Sequence, residues 1–321
     1  MPGTIRIGIS GWTYPPWRGV FYPEGLAQAR ELEYAASRFA SIEVNGTFYG
    51  LQRPESFAHW AEQTPENFVF AIKGSRYITH IRRAKDVDLP LANFFASGLL
   101  RLGPKLGPLL WQFPPNFKFD PEPFEAFLAR LPHTPAEATA LARKHEPRLD
   151  GRNWVRAKGV KRLRHAVEIR HESFRDPRFV AMLKRHKVAL VCADTVEWPR
   201  LMDLTTDFVY CRLHGSEQLY ASGYGDTALD DWARRVAAWA EGGEPKDAER
   251  IGKAARRRKS GRDVFVYFDN DIKVRAPADA RGLAERLGVA MPEQELLAAP
   301  ANRGKNVIGS PGTRAGTRGL T

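Results

Sequence analysis

The sequence predicts one α/β domain, a single (β/α)8 TIM-type barrel with basic insertions and a disordered C-terminal tail. Three observations lead there: eight short β-branched apolar runs, helical patterns between them, and polar groups gathered at the ends of the runs. Near-continuous apolar strands alternating with helices are what parallel strands buried on both faces require, and eight of them close a barrel. An open doubly wound sheet would want a glycine-rich phosphate loop after an early strand. Neither G-x-G-x-x-G nor a Walker sequence is present, so no nucleotide-cofactor motif is found.

The runs follow in order. IRIGIS (5–10), SIEVN (41–45), FVFAIK (68–73) and PLLWQF (108–113) form the first half; HAVEIR (165–170), VALVCAD (188–194), FVYCRLHG (208–215) and VFVYFDN (264–270) form the second. LAQARELEYAASRF and PESFAHWAEQ read as the first two helices, because their apolar residues recur at three and four. Asp120-Pro121 opens FEAFLARL, Asp176-Pro177 opens RFVAMLKRH, and Pro277 opens ADARGLAERLG. Thr227 with Asp230 resembles a capping box before DWARRVAAWA. The barrel is expected over 1–292. Residues 293–321, rich in Gly, Pro, Asn, Ser and Arg with no apolar period, read as a basic, disordered tail.

Of 321 residues, 43% are hydrophobic and 27% charged, ordinary values for a soluble chain, and no apolar run reaches the roughly 20 residues needed to span a bilayer. MPGTIRIGIS enters strand pattern without a basic region, apolar core or small-residue cleavage site, so a cytoplasmic location is expected. Cys192 and Cys211 lie in apolar runs and read as buried thiols. The net charge is +12, but residues 143–164 carry +7, 250–262 carry +7 and 296–321 carry +4, which leaves the rest at −6. The excess therefore belongs to two insertions and a tail. Residues 143–164 and 250–262 are either polyanion-binding patches, nucleic acid first among the partners, or solvated loops.

Functional groups in this fold gather where strands end. Side chains alternate along a strand, so Glu43 and Asn45 share a face, as do Glu168 and Arg170, and Arg212 and His214. Ser10, Lys73, Gln112, Asp194, Asp269 and Asn270 end other strands. So many ionisable groups in one place are costly unless they pair or face water, so part of the set is expected to be a mutual ion-pair network.

With these residues assembled, the chain resembles the YecE-like family of TIM-barrel proteins, built on domain of unknown function 72. The resemblance rests on ISGWTYPPWRGVFYP (9–23), FASIEVNGTFYGLQRPESFAHWAEQTPENFVFAIK (39–73), YITH (77–80) and LGPLLWQFPPNF (106–117). It continues through HAVEIRHESF (165–174), RLHG (212–215), Tyr220, Tyr224 and VYFDND (266–271). It implies the barrel; the family has no settled activity, and is grouped loosely with sugar isomerases and compared with barrel endonucleases. Gly46, Phe174 and Asp269 depart from the family pattern, and Asp269 makes the site more acidic.

The leading expectation is acid/base chemistry on a sugar-like or phosphorylated small molecule. Glu168 is the expected acid/base, with a pKa raised by apolar surroundings and by a second acid, Glu43. His171 and His214 are the proton shuttles, and Arg170, Arg212 and Lys73 would hold a phosphate, carboxylate or oxyanion. Trp12, Asn45, His80, Gln112 and Asn270 would line the pocket, with Tyr220 and Tyr224 in a glycine-flanked lid. Trp17, Phe21 and Tyr22 read as an aromatic plug over the barrel mouth. A divalent metal is possible, with Asp194 and Asp269 the candidate ligands, although no H-x-x-x-H or similar spacing occurs and Lys73 and Arg170 oppose a dense cation site. The rival reading is a nucleic-acid-binding or nucleic-acid-processing barrel that grips phosphates through the basic insertions. A third is a barrel without catalysis that scaffolds a partner.

Overall fold

Eight parallel strands close on themselves, each bonded to its neighbours in sequence and the last to the first. They are β1 (Ile5–Ser10), β2 (Ser41–Val44), β3 (Val69–Lys73), β4 (Leu106–Gln112), β5 (His165–Glu168), β6 (Val188–Asp194), β7 (Phe208–Leu213) and β8 (Asp263–Phe268). The structure, a computed structural model, describes residues 1–215, 219, 222–270 and 274–290. Residues 293–321 and Tyr220 lie outside that range.

The helices are α1 (Glu31–Ala36), α2 (Gly46–Tyr49), α3 (Pro54–Glu62), α4 (Asp88–Ala96), α5 (Pro121–Leu128), α6 (Pro135–Ala142), α7 (Pro177–Arg185), α8 (Asp226–Ala240) and α9 (Ala276–Arg286). Two expectations change. The first helix is shorter than the apolar period suggests, a 3₁₀ turn at Gln28–Arg30 followed by α1, because no side chain caps the start upstream. Thr227 and Asp230 lie inside α8, whose N-cap is Gly225, so they form no capping box. A true capping box sits instead at Thr134 and Glu137 of α6. None of the described helices is long and apolar enough to cross a membrane.

Residue size along the strands explains how the barrel fills. Ala71, Ala166, Ala189 and Ala193 leave room inside for Phe208, Tyr210, Phe265 and Tyr267, all in one buried cluster. The Tyr210 and Tyr267 rings lie 5.2 Å apart, and the Tyr267 hydroxyl meets Ser41 Oγ at 2.7 Å. A second, larger apolar core joins the outward strand faces to the helices. At Gly8 a Cβ would come within 1.9 Å of the Ser41 carbonyl oxygen, so β1 and β2 approach too closely for any side chain there. Cys192 and Cys211 are both buried and unbridged.

Candidate active site at the strand ends

The period-two alternation that packs the barrel also selects which polar residues reach its mouth. The top inward layer is Ser10, Glu43, Lys73, Gln112, Glu168, Arg212 and Asp269, with Ala193 as the inward residue of β6. Arg212 stands at the centre with no exposed surface. Its Nη1 donates to Glu168 Oε2 at 2.7 Å, its Nη2 to Glu43 Oε1 at 2.9 Å and Asp269 Oδ2 at 2.7 Å, and its Nε to Glu43 Oε2 at 3.0 Å. The guanidinium thus fills the point on which three carboxylates converge.

Glu43 is saturated: besides Arg212 it accepts from Ser10 Oγ at 3.0 Å and the Tyr210 hydroxyl at 2.6 Å. Glu168 takes a second guanidinium, Arg170 Nε at 2.7 Å. Burial pushes the Glu168 carboxyl up, but Arg212, Arg170, His214 and Lys73 outweigh it and hold the group well below the usual carboxylate range. This overturns the expected raised pKa: Glu168 stays ionised at neutral pH. Asp269 is likewise held down, burial being outweighed by Arg212 and His214. His214 Nδ1 lies 3.1 Å from Asp269 Oδ2, and burial lowers the ring's pKa.

The side of this layer around Lys73 and Gln112, with the loop residues over it, is less saturated. Lys73 is 9% exposed and pairs directly with no carboxylate among the described residues; its ammonium rests 4.6 Å from the centre of the Phe48 ring. Burial, then the charge of Arg212, lower it to about 8, against the pull of Asp269, Glu43 and Glu168. The His80 ring packs edge-on to the same Phe48 at 5.0 Å and sits 3.4 Å from Gln112 Nε2. Burial, Lys73 and Arg170 lower His80 to about 4, so it is neutral at physiological pH. Arg170 lies 4.1 Å from the Trp198 ring centre, and Trp198 packs edge-on to His214. Asn45 Oδ1 and Trp198 Nε1 are buried with no hydrogen-bond partner among the described residues.

The family profile described as "Protein of unknown function DUF72" matches residues 6–304. The chain belongs to the DUF72 family. It is similar to UPF0759 protein YecE of Escherichia coli, 32% identical over 113 residues, 35% of this chain and 39% of YecE. It is also similar to UPF0759 protein YunF of Bacillus subtilis, 30% identical over 118 residues, 35% of this chain and 41% of YunF. Each match spans about two fifths of the relative's length. A DUF72 family protein of Thermotoga maritima superposes with a TM-score of 0.65 at 23% identity, over 89% of this chain and 99% of that one. One from Enterococcus faecalis gives 0.63 at 18%, over 89% and 96%. At these identities the likeness is one of fold.

In this DUF72 chain several expected site residues fall elsewhere, Asp194 and Asn270 through strand parity and the others through local packing. Asp194 is one residue out of phase with Ala193, points outward, and is held by Trp232 Nε1 at 3.1 Å and Arg200 Nη1 at 3.2 Å. Asn270, one past inward Asp269, donates to Asp279 Oδ2 at 2.7 Å and the Ser222 carbonyl oxygen at 3.0 Å. Tyr224 is 3% exposed; its hydroxyl accepts from Gly215 N–H at 3.2 Å and its amide donates to Asp279. Both brace the loop after β7, and Tyr224 is no exposed lid. His171, past the end of β5, caps a local turn by accepting from Ser173 N–H at 3.0 Å. Trp12 packs edge-on to Trp60 at 5.4 Å beside a surface hollow bordered by α3. Trp17 and Tyr22 are buried and Phe21 half-buried, but they contact one another, Tyr34 and Phe39, so they seal the back of α1 and not the mouth.

Among the described residues no three His, Cys, Asp or Glu side chains form a metal-holding group; Asp269 is taken by Arg212 and His214, Asp194 by Arg200 and Trp232. The basic insertions are partly answered from within the protein. Arg148 pairs with Glu146, Arg162 with Asp207, Arg164 with Asp263 and Arg250 with Glu244. Arg262 is buried against the Gly242 and Gly243 carbonyls. Two members of the mouth, Phe48 and Trp198, were not expected. Phe48 sits in α2, directly after β2, and Trp198 in the loop after β6; an aromatic close behind a strand end is their sequence signal, and Trp12 shares it.

Proposed function

We propose that the chain is an enzyme that moves a proton on a small polyol bearing an anionic group, such as a sugar phosphate, bound at the strand ends. The observation that carries this reading is Lys73. It is a buried amine without a direct counter-ion among the described residues, lowered to about 8, on one aromatic ring with a neutral imidazole. An amine tuned toward the working pH accepts and returns protons efficiently, and while protonated it attracts an anion. His80 relays a proton as a neutral ring, and Arg170, held flat by Trp198, offers a guanidinium to the anionic group. Asn45 Oδ1 and Trp198 Nε1 supply an acceptor and a donor that substrate hydroxyls would satisfy. Arg212 and its three carboxylates form the rigid floor. Glu43 and Glu168 are therefore positioning groups in this account.

The test is a thermal-shift panel of sugar phosphates, free sugars and hydroxy acids on wild type and Lys73→Met, followed for any stabilising compound by deuterium incorporation from D2O. The reading expects stabilisation by a phosphorylated polyol and solvent exchange at one carbon, both lost in the variant. No shift with any compound, or equal shifts in both proteins, would overturn it.

A further inference from the structure

Eight large hydrophobic side chains are exposed among the described residues, and five of them, Tyr49, Leu51, Tyr77, Ile81 and Leu89, gather in one place. All but Ile81 line a cavity of about 620 Å³ between the loops after β2 and β3 and the stretch that follows α6. Ile81 ends the single turn, Tyr77–Ile81, that supplies Tyr77. Tyr49 is 73% exposed and Tyr77 47%, so neither is held by the protein's own core.

The rim is cationic. Arg53, Arg82, Arg148 and Arg152 face it, against Asp86 and Glu146. Both acids are already engaged, Asp86 by Arg82 at 3.1 Å and Glu146 by Arg148 and by Asn93 Nδ2 at 3.0 Å. Among the described residues Arg53 pairs with no acid, and the Arg152 guanidinium donates only to the Arg148 carbonyl oxygen. An apolar floor of this kind under unanswered guanidinium groups marks a partner site, and Tyr and Arg are the residues interfaces favour.

The aliphatic residues decide the occupant. Phosphates need only cations and bases need rings to stack on, so Leu51 and Leu89 would serve a nucleic acid poorly. They match the apolar face of an amphipathic segment whose other face is acidic. We propose that this groove binds an acidic amphipathic peptide segment of a partner protein. The partner's apolar side chains lie on Tyr49, Leu51 and Tyr77, and its carboxylates meet Arg53 and Arg152. The groove uses none of the strand-end residues, so the proposal stands apart from the catalytic reading.

Fluorescence anisotropy with the full chain tests it, using a labelled peptide of glutamates alternating with leucine and phenylalanine, the same peptide with lysines for glutamates, and a thymidine oligonucleotide. The acidic peptide is expected to bind and the lysine peptide not. Arg53→Glu/Arg152→Glu and Tyr49→Ser/Leu51→Ser should each weaken binding by about tenfold or more. All four positions are exposed, so unchanged melting curves will show that the variants fold. Absence of binding, or binding indifferent to both variants, overturns the proposal. So does a tighter complex with the oligonucleotide that ignores Tyr49 and Leu51, which would make the groove a phosphate-binding surface.

Discussion

Arg212 Nη1 and Glu168 Oε2 meet at 2.7 Å with both side chains fully buried, and the same guanidinium holds Glu43 and Asp269. Desolvating these charges is costly, and the compensation lies in their mutual geometry together with Ser10 and Tyr210 on Glu43 and Arg170 on Glu168. Arg212→Met leaves three carboxylates in the barrel without their cation, so a loss of at least about 3–5 kcal/mol is expected. Urea unfolding measures it. The variant should regain part of that stability as pH falls toward 4, because protonation relieves the carboxylates; a variant as stable as wild type would show that the network is not stabilising.

Lys73 predicts the opposite sign. Its folded pKa, about 8, lies below its ordinary 10.5, so the folded state carries the ammonium reluctantly. The penalty is absent above pH 10.5, grows as pH falls to 8, and is complete below that. Lys73→Met should therefore stabilise the protein at pH 7 by on the order of 1–3 kcal/mol, with the gain fading between pH 8 and 10.5. A residue whose removal stabilises the fold is one retained for its chemistry. A destabilised Lys73→Met at pH 7 would place Lys73 among the structural ions.

Acid sensitivity should begin well above the carboxylate range. His165 is buried, accepts from Trp111 Nε1 at 3.1 Å through Nδ1 and faces the Pro132 carbonyl oxygen at 2.7 Å through Nε2. Burial lowers it from 6.5 to about 3. The unfolded chain takes up this proton below pH 6.5 and the folded protein does not, so stability falls as pH drops from 6.5 toward 3, by on the order of 2–3 kcal/mol at pH 4.5 for this ring. His80 adds to the loss over its own window, 6.5 to about 4. Denaturant unfolding at pH 7 and 4.5 checks this; equal stability at the two values would contradict it.

Asp279 joins the ends of two loops by accepting from Tyr224 N–H at 3.1 Å and Asn270 Nδ2 at 2.7 Å. Asp279→Ala strands two buried donors, a cost of about 1–3 kcal/mol each. Hydrogen exchange of the Tyr224 amide should speed up in the variant, without comparable change at Glu43 on β2.

The eight strands were legible because each is a short apolar run of the right length, and their order in sequence is their order in the barrel. The pairs Glu168 with Arg170, which meet at 2.7 Å, and Arg212 with His214, which both face Asp269, were legible through the alternation of side chains along a strand, whereas Asn45 already has helical backbone as the N-cap of α2. Asp194 and Asn270 were misplaced because a strand's end does not reveal its phase: Ala193 and Asp269, their neighbours, face inward. The pKa of Glu168 was misjudged because burial was visible in HAVEIR, whereas the number of cations converging from β3, β5 and β7 is a property of closure. Trp12 and Tyr224 are aromatic residues near strand ends like Phe48 and Trp198, and only tertiary packing separates the first two from the second.

The central claim is that Lys73 is the titrating amine of a site at the strand ends. NMR titration of the lysine Cε resonances, with Lys73 assigned by its absence in Lys73→Met, measures this directly. A midpoint near pH 8 is predicted. A midpoint at the ordinary 10.5 would mean that Lys73 is solvated or paired, and the acid/base reading would lose the group on which it rests.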